Sequence, residues 1–355
     1  MFLPAKRDSI RYLALVLGLS SCASSTWAEV RPFTVVSFGG ALQEAQREVY
    51  FKPFVKQSGT RLVEESWDGG IAVLRSKVRD PSSGWDLVQV ESEELLLGCK
   101  EGLYEKINWI HLGTRDNYLP QATSECGVGS IIYNFVLAYD GDKFSGGSAP
   151  RTWADFFDVK KYPGKRSLRK GPKTNLEFAL LADGVPMNEV YKVLATPAGV
   201  ERAFAKLDLI KRDIVWWETG AQPAQLLISG EVAIASAYNG RVSAANKTLA
   251  RNLRMSWINS LSTIDSWVIM KGSPNISTAE KFLEFTSASA IQKNLPAIIP
   301  YGLPNKYATM LIERSVWENI PTNPEHLHTA LQIDDRYWVE NVDHLTKKYE
   351  AWLAK

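Results

Sequence analysis

Arg241 and Asp265 are the two charges whose settings suit chemistry. Arg241 closes the run Ser236-Ala237-Tyr238-Asn239-Gly240-Arg241, which follows the apolar stretch Val232-Ala233-Ile234-Ala235. A continuous apolar run of this kind reads as a central strand, and open α/β sheets place ligands beyond the carboxyl ends of such strands. Asp265 sits in a second strand-like segment, Ile264-Asp265-Ser266-Trp267. Each charge has an aromatic neighbour in sequence, Tyr238 and Trp267, and together they offer a cation and an anion to one small molecule. A zwitterion matches that pair. Taken singly, each is an ordinary turn or capping charge, so the case depends on what the rest of the chain builds around them.

The elements that must position these charges alternate between strand and helix. Residues 30–38 read as a strand, Gly39-Gly40 as a turn, and residues 41–55 as a helix. The two glycines let a ligand or a loop approach the backbone, and the free N–H groups of the helix start favour an anion. Residues 61–65 form a second strand, turning through Trp67-Asp68-Gly69-Gly70 into a helix over 71–79. Residues 85–90 form a third, ending at Glu91-Ser92. Such units predict a mostly parallel sheet covered by helices. A long apolar strand over 129–139 leaves one lobe for another. There Gly171-Pro172-Lys173-Thr174-Asn175 opens a further helix with Thr174 or Asn175 as cap, and Trp216-Trp217-Glu218-Thr219-Gly220 marks another strand-to-helix corner. Helical patterns over 277–287, 306–315, 326–331 and 335–354 complete the chain.

Composition narrows the classes. The 355 residues are 45% hydrophobic and 23% charged with a net charge of +2, which describes a globular chain long enough for two domains and leaves no electrostatic footprint for nucleic acid. His111, His326, His328 and His344 have no metal-ligand spacing with cysteine, so no metal and no cofactor is expected. A Gly-x-Ser-x-Gly elbow and a zinc box are both missing. A binding protein is therefore expected rather than an exported enzyme.

The amino terminus reads as a targeting segment over residues 1–28. Lys6, Arg7 and Arg11 precede an apolar stretch too short to span a bilayer, and small residues follow. Two processing sites compete. Leu19-Ser20-Ser21-Cys22 resembles a lipoprotein box that would leave Cys22 acylated, and Thr26-Trp27-Ala28 resembles an ordinary cleavage site before Glu29. Either route exports the chain to an oxidising compartment, where Cys99 and Cys126 are expected to form a disulfide.

Taken in order, these features resemble the spermidine/putrescine-type periplasmic solute-binding proteins of ABC importers. They are the export segment, the strand-glycine-helix corners, Trp153-Ala154-Asp155 after a crossing strand, and Ser229-Gly230-Glu231-Val232 ahead of Tyr238-Asn239-Gly240-Arg241. The resemblance covers the chain from about Val30 onward. It implies a bilobal α/β protein of the type II periplasmic-binding-protein fold, two mixed-sheet lobes closing about a hinge on a ligand in the cleft. The lobes would be residues 29–140 with 242–300, and 141–241 with 301–355. It also implies a monomer that serves the transmembrane subunits of an ABC permease. Polyamine binders carry an acid where this chain has Arg241 and an Asp that matches Asp265. Their glutamate at a helix corner is replaced by Thr174-Asn175, and their serine after the Asp-Leu-Val strand by Glu91. Exchanging an acid for arginine at one end turns a diamine site toward a carboxylate. The surroundings are similar to the branch that binds γ-aminobutyrate and other ω-amino acids, with polyamine binding as the alternative. The expected ligand contacts are Arg241, Asp265, Glu91, Gly39, Gly40 and Asn175, with aromatics from Trp67, Tyr133, Trp217, Tyr238 and Trp267.

Overall fold

The computed structural model describes residues 1–3, 31–80 and 82–355. The targeting segment and Cys22 lie outside the described residues. Among the described residues nine strands form one mixed sheet: β1 Phe33–Ser37, β2 Leu62–Ser66, β3 Leu87–Glu91, β4 Gly127–Asp140, β5 Arg166–Arg169, β6 Ile214–Trp217, β7 Ile234–Tyr238, β8 Leu253–Ile269 and β9 Leu331–Gln332. Their order is β2-β1-β3-β8-β4-β7-β5-β6, with β9 beside β8. At one end β1 runs parallel to β2 and β3, and at the other β5 runs parallel to β6 and β7. Two long antiparallel strands, β4 of 14 residues and β8 of 17 residues, join them. At about 3.4 Å per residue, either strand is roughly 45 Å long or more, enough to belong to both halves of a bilobal molecule.

Both long strands are irregular where they pass from one half to the other. Their register shifts between Gly129 and Ile131 and again between Phe135 and Leu137. Extra residues at such bulges bend a strand and re-aim its side chains. Between the two shifts lie Ile131–Phe135 of β4 and Leu261–Asp265 of β8, which places Tyr133 and Asp265 on the connecting span.

The helices used below are α1 Gly40–Gln46, α2 Ile71–Arg79, α3 Ser92–Lys100, α4 Asn175–Ala182, α5 Asn239–Leu249, α6 Ile276–Ser287 and α7 Asp335–Leu353. α6 buries Phe282 among Phe33, Phe51, Phe54 and Trp267, which is why the apolar strand residues of β1 and β8 are covered on that face. α7 starts at Asp334, whose carboxylate accepts the N–H groups of Arg336 and Tyr337. Its Trp338 Nε1 donates to the buried Glu177 at 2.7 Å, tying the carboxyl-terminal helix to α4.

One local expectation is corrected. Residues 306–315 do not form one helix but two short ones, Lys306–Met310 and Arg314–Trp317. Met310 and Leu311 are largely exposed, so no apolar face is there to hold a longer helix together. Arg241 lies in the first turns of α5, because β7 runs directly into that helix at Tyr238. Cys99 and Cys126 are bonded, with Cα atoms 5.7 Å apart, and close the end of α3 onto the start of β4.

Candidate ligand-binding site

A narrow cavity of about 40 Å³ lies where the two halves of the sheet meet. Its walls come from the strand-to-helix corners and from the crossing strands. Phe38 and Leu42 flank the start of α1, Asp68 precedes α2, and Glu91 precedes α3. Ile131, Tyr133 and Asp265 come from the crossing strands. Arg169, Glu218, Gly220, Tyr238 and Arg241 come from the other half, and Tyr301 closes the ring.

Arg241 is held by close packing. Its Nη2 donates to the Phe38 carbonyl at 2.9 Å and to the Gly39 carbonyl at 3.3 Å. A Cβ on Gly40 would stand 2.7 Å from Nη1, and one on Gly220 would stand 2.8 Å from Nε. Gly40 also has φ +55°, where a side chain is strained. These two positions must be glycine for the guanidinium to fit between them. Among the described residues, no carboxylate forms an ion pair with Arg241, although its side chain is almost wholly buried.

The acids behave differently from one another. Glu91 and Asp265 stand opposite each other in the β3–β8 pair, an arrangement of like charges that costs stability unless relieved. Glu91 is relieved. Its Oε1 lies 2.9 Å from Arg169 Nη1 and its Oε2 3.3 Å from Lys173 Nζ. Burial works against its charge, but these two cations outweigh burial and lower its pKa to about 2. Asp265 is relieved less: no cation pairs with it among the described residues, and Tyr133 and the more distant Lys173 favour its charge only in part. Its Oδ2 accepts from Gln89 Nε2 at 3.2 Å, while Oδ1 has no partner among the described residues. Burial first, and the charge of Glu91 second, raise the Asp265 pKa well above the carboxylate range.

Three tyrosines line the space between these charges. The rings of Tyr133 and Tyr238 are 5.3 Å apart edge to face, and those of Tyr133 and Tyr301 are 6.2 Å apart. Burial pushes the Tyr301 hydroxyl up to about 12, with Arg241 pulling it down and Asp265 pushing it up, so that this hydroxyl senses both charges.

Of the residues singled out in the sequence, Arg241, Asp265, Glu91, Tyr133 and Tyr238 line the cavity. Gly39 and Gly40 lie at its edge, against the guanidinium of Arg241. The tryptophans stand one row behind. Trp67 stacks on Phe38 at 5.6 Å, Trp217 meets Tyr238 at 5.5 Å, and Trp267 packs on Phe282 in the core. Asn175 binds the carbonyls of Arg169 and Gly171 through Nδ2 at 2.5 and 2.7 Å, and so shapes the loop after β5. Sequence reasoning missed Arg169, Phe38 and Tyr301. Arg169 ends the short strand Arg166–Arg169 just before Gly171-Pro172, the same strand-end signal that pointed to Arg241. Phe38 and Tyr301 carry no local signal beyond their neighbouring glycines.

Comparison with known proteins agrees with this architecture. Residues 50–321 match the family described as bacterial extracellular solute-binding protein. The chain is 44% identical over 333 residues to a gamma-aminobutyric acid-binding protein of Pseudomonas aeruginosa, covering 94% of each. Its fold is similar to the periplasmic binding protein MotA of A. tumefaciens B6 in complex with glucopine, with a TM-score of 0.85, 28% identity and coverage of 91% and 100%. It is also similar to a solved GABA receptor, with a TM-score of 0.79, 30% identity and coverage of 92% and 98%. These neighbours are bilobal, as is the present fold, and no helix among the described residues is long and apolar enough to cross a membrane. The match spans most of the chain and both halves of the cleft, and the protein belongs to the bacterial extracellular solute-binding protein family.

Proposed function

We propose that the protein captures a short ω-amino acid, of the γ-aminobutyrate or 5-aminovalerate kind, and delivers it as a monomer to the transmembrane subunits of an ABC permease. The carboxylate pairs with Arg241 and the ammonium with Asp265, while Phe38, Tyr133, Tyr238 and Tyr301 enclose the methylene stem. The observation that carries this reading is the unequal state of the two facing acids. Glu91 is already paired with Arg169 and Lys173, whereas Asp265 keeps one oxygen without a partner. That leaves one buried acid and one buried cation for a ligand. A diamine would need a second acid, and an α-amino acid carries both charges on one carbon and would leave one anchor unpaired. The names of the Pseudomonas relative and of the GABA receptor support the same ligand class. In this reading the protein works in the periplasm. Cleavage before Glu29 would free it there, and acylation of Cys22 would tether it to the membrane.

Calorimetry with γ-aminobutyrate, 5-aminovalerate, putrescine and spermidine tests the proposal. The ω-amino acids are expected to bind tightly and the polyamines weakly; tight putrescine binding with no ω-amino acid response would reject it. The same titrations carry a proton signature. The free site holds a proton on Asp265 to a higher pH than an ordinary carboxyl does, because burial and Glu91 raise its pKa. An ammonium ligand favours the ionised form. Binding is therefore expected to release a proton, and affinity to climb with pH from the ordinary carboxylate range until the raised pKa is passed. Titrations in two buffers of different ionisation enthalpy read that proton directly, and identical heats in both would contradict it.

A further inference from the structure

We propose that Lys173 sets the charge preference of the cleft from outside it, as a positioning residue that pins the Glu91 carboxylate onto Arg169 and so withholds a second acid from the ligand. The inference rests on the ω-amino acid reading above and explains how a cleft lined by four acids takes a carboxylate at all.

Lys173 does not line the cavity. It sits behind Glu91, bonded to Glu91 Oε2 at 3.3 Å and to Glu93, with its side chain 9% exposed. Asp335 at the start of α7 is a further acid near it; its carboxylate accepts from Ser92, and burial raises its pKa while the Lys173 ammonium opposes that rise. Two cations thus serve a cluster of three acids, and only Arg169 faces the cavity. Removing Lys173 would leave Glu91, Glu93 and Asp335 with Arg169 alone. The surplus negative charge would then be directed at the ligand.

The loop that carries Lys173 is built at a conformational cost. Thr174, the next residue, has φ 73°, a region that a β-branched residue rarely occupies, and it is fully buried. Such strain persists only where the surroundings over-determine it, and it gathers at functional positions. Here Asn175 Nδ2 grips the carbonyls of Arg169 and Gly171 on either side of the turn. That grip fixes Arg169 and Lys173 in one rigid unit, so both cations reach Glu91 together. A lysine serving only to neutralise a surface acid would need no such loop.

The test is the ratio of the putrescine Kd to the γ-aminobutyrate Kd, measured by calorimetry. In Lys173→Met that ratio is expected to fall about tenfold or more, because one buried charge changes within a few ångström of Glu91. Lys173→Arg should restore it. In a Glu91→Gln background, Lys173→Met should change the ratio by no more than roughly twofold, the level of independent sites. Equal loss of both ligands in Lys173→Met, or an undiminished effect once Glu91 is neutral, would leave Lys173 a purely structural role and overturn the proposal. Glu93→Gln probes the same point with the lysine in place. Lys173 then bonds Glu91 with less competition and the ratio holds or rises, and a fall overturns the proposal. A wild type that prefers putrescine overturns the ligand reading together with this one. A wild type that prefers γ-aminobutyrate, with an unmoved ratio in Lys173→Met, overturns the role of Lys173 alone.

Discussion

Asp265→Asn is expected to lose ω-amino acid binding by roughly a hundredfold or more while leaving the ligand-free protein at least as stable as the wild type. The two effects have one origin. Asp265 is 3% exposed and one of its oxygens has no partner among the described residues, so its charge is useful only when a ligand ammonium arrives. Breaking a buried pair by removing one partner costs on the order of 3 to 5 kcal/mol, and each 1.4 kcal/mol is about tenfold in affinity. The stability effect follows from linkage. The folded-state pKa of Asp265 is raised, so the folded protein binds this proton more strongly than the unfolded chain does. Stability from that proton is lost as pH rises from the ordinary carboxylate range through the raised pKa. Asparagine removes the loss, and thermal unfolding of the two proteins at pH 5 and pH 8 should show the variant gaining on the wild type at the higher pH. Glu91 has the opposite sign. Its lowered pKa contributes stability above the ordinary carboxylate range that disappears as pH falls toward about 2. Arg241→Ala should cost a similar hundredfold in affinity, because the guanidinium wedged between Gly40 and Gly220 is a cavity cation without a carboxylate partner among the described residues. A change of less than about fivefold in either variant would show that the charge it removes does not anchor the ligand.

Replacing the Cys99–Cys126 disulfide with a serine pair is expected to lower stability by about 3.5 kcal/mol, the loop-entropy value for a sequence separation of 27 residues. With the usual unfolding entropy per residue, that is roughly 5 °C in Tm for a chain of this length. The bond ties the carboxyl end of α3, whose amino end carries Glu93 and Glu94, to the entry of β4, which carries Tyr133. Its loss should therefore loosen one wall of the cavity. Thermal unfolding with and without reductant checks the effect in the unmodified protein, and an unchanged Tm after reduction of the bond would contradict it.

The sequence alone determined those features that local spacing encodes. Alternating or continuous apolar runs followed by glycine corners identified β1, β2, β3 and β7 and the helices after them, because strand and helix periods are written over four to ten residues. The strand-end logic picked out Arg241 directly. Asp265 was visible as a lone acid in an apolar strand. Export and an even number of remaining cysteines led to the disulfide, since compartment and parity are global properties that need no geometry. The resemblance to solute-binding proteins drew on the order of these corners, which is also a one-dimensional property.

Only the tertiary structure decided which acid is available. Glu91 looks like a free charge at a strand end until β5 and its loop bring Arg169 and Lys173, 78 and 82 residues away, onto its two oxygens. The β3–β8 register then sets Glu91 directly opposite Asp265, and that register depends on how two distant strands meet, not on either strand's own pattern. The aromatics show the same division. Trp67, Trp217 and Trp267 are as conspicuous in sequence as any tyrosine, yet Phe38, Tyr238 and Phe282 stand against them. Tyr301 comes to the cavity edge because the segment Ile299–Gly302 bridges to Ile132 across the crossing strands, where its ring packs so close to Gly240 that a Cβ there would lie 2.5 Å away. Pairing between segments far apart in sequence is selected by total burial and by the satisfaction of every buried charge at once, a condition that exists only when the whole chain has folded.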